Sequence, residues 1–129
     1  MQFAIRIICN RRITETVKER MAGLTNYLFL SDNLNFIPYW KDNECAILEL
    51  SAKIENPDYS KIQQYIQAIS GTENLSQRCV PDEWECAYFA SLDELHSSKN
   101  TAFVVCSIFL SHNDSFKKTN YEIANPDRP

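Results

Sequence analysis

Hydrophobic positions along this chain switch between a period of two and a period near 3.6. In Phe3-Ala4-Ile5-Arg6-Ile7-Ile8-Cys9, the side chains of Phe3, Ile5, Ile7 and Cys9 share one face, as in a β-strand. Ile13, Val17, Met21 and Leu24 then recur as one helical stripe, and Gly23 is placed to end that helix. Two apolar bursts follow, Tyr27-Leu28-Phe29-Leu30 and Phe36-Ile37-Pro38-Tyr39-Trp40, separated by Ser31-Asp32-Asn33. A hairpin and an irregular loop both fit residues 27–40. Pro38 restricts the second burst to a sheet edge or to no sheet.

From Cys45 to Ile54 the alternation returns. Ala46, Leu48, Leu50, Ala52 and Ile54 form a buried side, while Ile47, Glu49, Ser51 and Lys53 form a largely polar one. A second helix is then expected, with Asn56 as its cap, Pro57 in its first turn and Asp58 at the positive end of its dipole. Ile62, Tyr65, Ile66 and Ile69 supply its apolar face, and Gly71 ends it. Thr72 to Glu83 reads as a polar loop. Trp84 to Ala90 is strand-like, Ser91 to Leu95 is one helical turn, and Thr101 to Leu110 is the most β-prone run. Apolar residues on both sides of that last run predict a central strand or one covered on both faces.

This order predicts an α+β domain over residues 1–111. The expected layout is a mainly antiparallel sheet with two helices on one face, a ferredoxin-like βαββαβ variant. Residues 112–129 read as a polar, frayed tail. The short apolar run at the start is followed rather than preceded by Arg11 and Arg12, unlike a signal peptide, and no stretch approaches the roughly 20 apolar residues of a membrane span. A cytoplasmic protein without membrane contact is expected. Five cysteines, at 9, 45, 79, 86 and 106, are odd in number and form no C-x-x-C pair. They read as reduced thiols, mostly buried, and no cofactor or metal site is expected.

The chain has only two glycines and two histidines in 129 residues, against about nine glycines at average usage. Phosphate-cradling loops and histidine chemistry are therefore poorly supplied. His96 or His112 could meet a cysteine only if the fold brings them together. No H-E-x-x-H, G-x-S-x-G or Walker pattern is present, so an enzyme is not expected.

Charge is uneven. Residues 1–25 hold five bases and two acids, whereas residues 26–100 hold five bases and twelve acids. Arg6, Arg11, Arg12, Lys18 and Arg20 make the one basic cluster, too little for nucleic-acid binding in a chain of net charge −4. The densest acidic run contains Asp82, Glu83, Glu85, Asp93 and Glu94 with no intervening base, and Trp84 lies within it. Acids interleaved with aromatics suit a basic protein partner, with Trp84, or Tyr39 and Trp40, as anchors. The same acids would equally serve as a solvated surface.

Small, acidic, single-domain, α+β and without a visible active site, the chain resembles the cytoplasmic immunity proteins of bacterial toxin systems, including contact-dependent growth inhibition. That resemblance implies binding to a cognate, basic, nuclease-type toxin domain and occlusion of its active site. The alternative is a small-molecule-binding regulatory domain of ferredoxin-like type, which could be dimeric; the oligomeric state is left open.

Overall fold

The computed structural model describes residues 1–29, 35–97 and 100–109. Among these residues, six strands form one sheet: β1 (Gln2–Asn10), β2 (Asn35–Pro38), β3 (Cys45–Lys53), β4 (Ser76–Val80), β5 (Glu83–Tyr88) and β6 (Phe103–Phe109). Their spatial order is β2-β3-β1-β6-β5-β4, and every neighbouring pair is antiparallel. Three α-helices accompany them: α1 (Thr14–Tyr27), α2 (Tyr59–Ser70) and the short α3 (Leu92–Ser97). The protein is thus α+β with an antiparallel sheet.

Alternation along the strands sends side chains to two separate cores. Phe3, Ile5, Ile7 and Cys9 of β1 join Leu48 and Leu50 of β3, Trp84 and Cys86 of β5, and Val104, Cys106 and Ile108 of β6. Val17, Met21 and Leu24 of α1 and Ile62, Ile66 and Ile69 of α2 close over this face. The two helical stripes therefore face the sheet as their spacing predicts. The opposite face carries a smaller cluster of Ile8, Tyr39, Cys45, Ile47, Ala87, Phe103 and Val105, with Leu95 of α3 packed among them. A third helix on the second face extends the expected layout of two helices on one face. It also explains why β6 is apolar on both sides: the strand is central and is covered twice.

Local punctuation departs from expectation in four places. Gly23 lies inside α1, which continues to Tyr27. Its lack of a side chain admits Tyr65 of α2, since a Cβ there would lie 3.1 Å from the Tyr65 ring. Asp58, not Asn56, caps α2 by accepting from the Lys61 N–H, while Asn56 takes a left-handed turn at φ 49°. Pro57 lies before the helix. The expected loop from Thr72 to Glu83 contains strand β4, which pairs with β5 along its whole length. All five of its residues are exposed, so it carries no hydrophobic alternation to betray it. Gly71 does end α2, at φ 77°. Pro38 lies at the end of edge strand β2.

Of residues 27–40, positions 30–34 lie outside the described residues, as do His112 and the expected tail 112–129. No helix among the described residues is long and apolar enough to cross a membrane.

Candidate functional site

Helix α3 and the loop 39–44 meet at one end of the sheet's second face, and most of the protein's unusual chemistry gathers there. The Ser91 hydroxyl accepts from the Glu94 N–H, capping α3, and Asp93 and Glu94 complement the positive end of its dipole. Glu94 also accepts a hydrogen bond from the Tyr88 hydroxyl at the end of β5. That bond, formed by the neutral phenol, holds the Tyr88 pKa above its ordinary value. Leu95 fills the small core beneath.

The other end of α3 is tied to the end of β1 and the turn that leads into α1. The Asn10 side-chain amide donates to the Leu95 carbonyl at 3.2 Å, and its oxygen accepts from the Arg12 N–H at 3.0 Å. Arg12 in turn donates to the His96 carbonyl at 3.1 Å. Loop 39–44 is built on an Asx turn: Asp42 Oδ1 accepts from the Glu44 N–H, and the Cys45 N–H returns to the Asp42 carbonyl. Arg11 N–H donates to the Glu44 carbonyl at 2.7 Å and fixes the loop to the end of β1.

These supports bring Asp42, Cys45 and His96 together, with one ligand-type atom of each within 4.8 Å of the others. His96 Nε2 lies 2.5 Å from Asp42 Oδ2 and 3.4 Å from Glu44 Oε2. The Glu44 N–H, aided by His96 and opposed by desolvation, holds the Asp42 carboxyl below its usual range. Burial, with the negative charges of Asp42 and Glu44, pushes the Cys45 thiol up to about 11. A thiol held in its neutral form is a poor nucleophile at neutral pH. The trio resembles a cysteine–histidine catalytic pair in composition, but lacks its activated thiolate.

The residues expected at a partner surface divide. Tyr39 is core, whereas its neighbour Trp40 is 64% exposed. Phe89 is 47% exposed and packs edge-on against Phe103, 5.5 Å between ring centroids, over the same small core. Leu92, Asp93 and Glu94 are exposed on α3, and Glu44 is exposed on the loop. Trp84 is corrected from anchor to core: only 7% exposed, it packs under α2 against Tyr59 on the opposite face. Glu83 and Glu85 are shielded on the second face beside Arg78 of β4, at 3.4 and 3.6 Å. They are a poor contact surface. Asp82 is exposed in the β4–β5 turn, at φ 72°.

The basic cluster is also dispersed. Arg6 pairs with Glu49 across β1 and β3, Arg11 and Arg12 bond backbone carbonyls, Lys18 pairs with Glu15, and Arg20 donates to the Ile69 and Asn100 carbonyls. The sequence left open a meeting of His96 with a cysteine, which the fold makes with Cys45, but Phe89 and the part played by Asp42 are absent from the sequence-based expectations. Phe89 is signalled only by its place after an apolar strand, and the grouping by nothing local.

No protein-family model, no curated protein and no solved structure matches this chain.

Proposed function

We propose that the protein is a binding domain that covers a basic protein partner through the surface around α3. The observation that carries this reading is the exposure of Trp40, on the loop that carries the exposed Glu44, and of Phe89, just ahead of the helix that carries the exposed Asp93 and Glu94. Half-exposed aromatics on a rigid support supply contact area with little ordering cost, and the acids supply long-range attraction to positive charge. On this reading the electrostatic face is loop 39–44 and α3 rather than Glu83 and Glu85. An immunity-type protein that occludes a basic, nuclease-type toxin domain in the cytoplasm is the most specific form of the reading. The split β-α-β unit, in which β1 and β2 run in the same direction on either side of β3, supports its ferredoxin-like variant.

The test compares the wild-type protein with Trp40→Ala/Asp93→Lys/Glu94→Lys as affinity baits in lysate of the native cell. The expected result is one stoichiometric basic protein on the wild-type bait, released by moderate salt and lost from the variant. Its own enzymatic activity should return on release. Equal retention by both baits would refute the assignment of this face, and an uninhibited captive would refute occlusion.

A further inference from the structure

We propose that Asp42, Cys45 and His96, with Glu44 as fourth ligand, form a binding site for a divalent transition-metal ion of the zinc class. The argument begins with the donors. Thiolate, imidazole and carboxylate are the ligand types that tetrahedral zinc accepts, and a mixed set disfavours calcium and magnesium, which take oxygen. The geometry is close to assembled, because the ligand atoms of Asp42, Cys45 and His96 already lie within 4.8 Å of one another and Glu44 Oε2 lies 3.4 Å from His96 Nε2. Metal–ligand bonds of about 2.0–2.3 Å bring tetrahedral neighbours to roughly 3.3–3.8 Å, a shift within reach of side-chain rotation.

The surrounding shell holds these residues largely through backbone groups. The Asx turn positions Asp42 and Glu44, the Arg11 N–H holds the Glu44 carbonyl, and Arg12 holds the His96 carbonyl. Such outer contacts orient ligands before a metal arrives. Charge points the same way: the carboxylates of Asp42 and Glu44 both converge on His96 Nε2, beside the buried Cys45. Converging anionic donors of this kind attract a divalent cation. On binding, the Cys45 proton and any proton shared by His96 and Asp42 pass to solvent, and the sulfur and Nε2 lone pairs go to the metal. The bound ion would pin loop 39–44, with Trp40, to α3. The proposal stands whether or not that surface binds a toxin.

The test is titration of the full-length protein, first stripped with chelator and kept reduced, with Co²⁺ as the probe and Zn²⁺ as the competitor. Expected are one equivalent bound, a near-ultraviolet thiolate-to-cobalt band, intense visible bands of tetrahedral cobalt, and loss of all of them on adding Zn²⁺. Cys79→Ser should leave the spectrum unchanged, since Cys79 is exposed on β4, remote from the loop. Cys45→Ser should abolish the thiolate band, and circular dichroism checks that the variant is folded. His96→Gln and the surface change Glu44→Gln should each weaken binding about 10- to 100-fold, and Glu44, 67% exposed, carries little risk to folding. A wild-type protein without the thiolate band, a band that persists in Cys45→Ser but vanishes in Cys79→Ser, or unchanged affinity in both His96→Gln and Glu44→Gln would overturn the site.

Discussion

Gly71→Ala provides the sharpest test of how α2 is joined to the sheet. Gly71 ends the helix at φ 77°, a conformation that costs an alanine about 1–2 kcal/mol. Its position adds a second cost, because a Cβ there would lie 2.3 Å from the Asn100 carbonyl oxygen. That oxygen belongs to backbone and cannot rotate away. It also accepts from Arg20 Nη1 at 2.9 Å, and two residues later the Ala102 N–H donates to the Ser70 carbonyl at 2.9 Å. Moving the strand leading to β6 by the ~1 Å needed would weaken both bonds, at about 0.5–3 kcal/mol between them. The expected loss is therefore about 2–5 kcal/mol, much of the ~5–15 kcal/mol a domain typically has. Urea unfolding followed by tryptophan fluorescence should show a lower midpoint with an unchanged slope. Gly23→Ala makes an internal comparison. There the same methyl enters a helix interior, where alanine gains about 0.5–1 kcal/mol, and meets only the edge of the Tyr65 ring at 3.1 Å. Its net effect should be within about 1 kcal/mol of zero. Equal effects from the two substitutions would refute the argument.

Three further outcomes follow from single contacts. Asn10→Ala removes the acceptor for the Arg12 N–H and the donor to the Leu95 carbonyl, and should cost about 2–3 kcal/mol; hydrogen exchange should show α3 losing protection. Glu85 Oε2 is buried without a hydrogen-bond partner among the described residues, and burial raises the carboxyl pKa above its ordinary 4.5. The native state therefore holds this proton more tightly than the unfolded chain, and stability falls as pH rises through the native value. Glu85→Gln should thus raise the unfolding free energy from urea titration at pH 7 by on the order of 1 kcal/mol, with the gain vanishing below about pH 4; a gain that persists in acid would contradict the cause given. Burial pushes the thiols of Cys9 and Cys86 up to about 11 and that of Cys106 well above its ordinary range, and Cys45 is raised as well, whereas Cys79 is exposed. Intact-mass analysis after brief alkylation of the native, metal-free protein should find one modified cysteine, at position 79.

Patterns that report burial were legible in the chain. The faces of β1 and β3, the stripes of α1 and α2 and the two-sided character of β6 all follow from side-chain period, because each element must bury what its period collects. Strand β4 was not legible: Ser76 to Val80 is an edge strand with every side chain exposed, so backbone pairing with β5 defines it without help from hydrophobicity. Trp84 misled for the opposite reason. Its acidic neighbours dominate composition, but alternation sends Glu83 and Glu85 to one face and Trp84 to the other. The α3 surface was half visible, through Trp40, Asp93 and Glu94. The meeting of Cys45 with His96 was not, since they lie 51 positions apart, with α2, β4 and β5 between them, and nothing short-range encodes their approach.

The position of β6 has a consequence for how the molecule is made. Residues 103–109 are translated after the other five strands, yet they sit between β1 and β5 and pair with both. Until they insert, the chain can form only two partial sheets, β2-β3-β1 and β5-β4, each with an unsatisfied inner edge. The register that joins Gln2 to Phe109 spans nearly the whole described chain. Assembly must therefore wait for a late closing strand, a slow topology with a high entropic barrier. Fragments that stop short of residue 103 would leave β1 and β5 open as templates for other chains. A strand buried along its whole length in the finished fold is thus the one whose delay most exposes the nascent chain to aggregation.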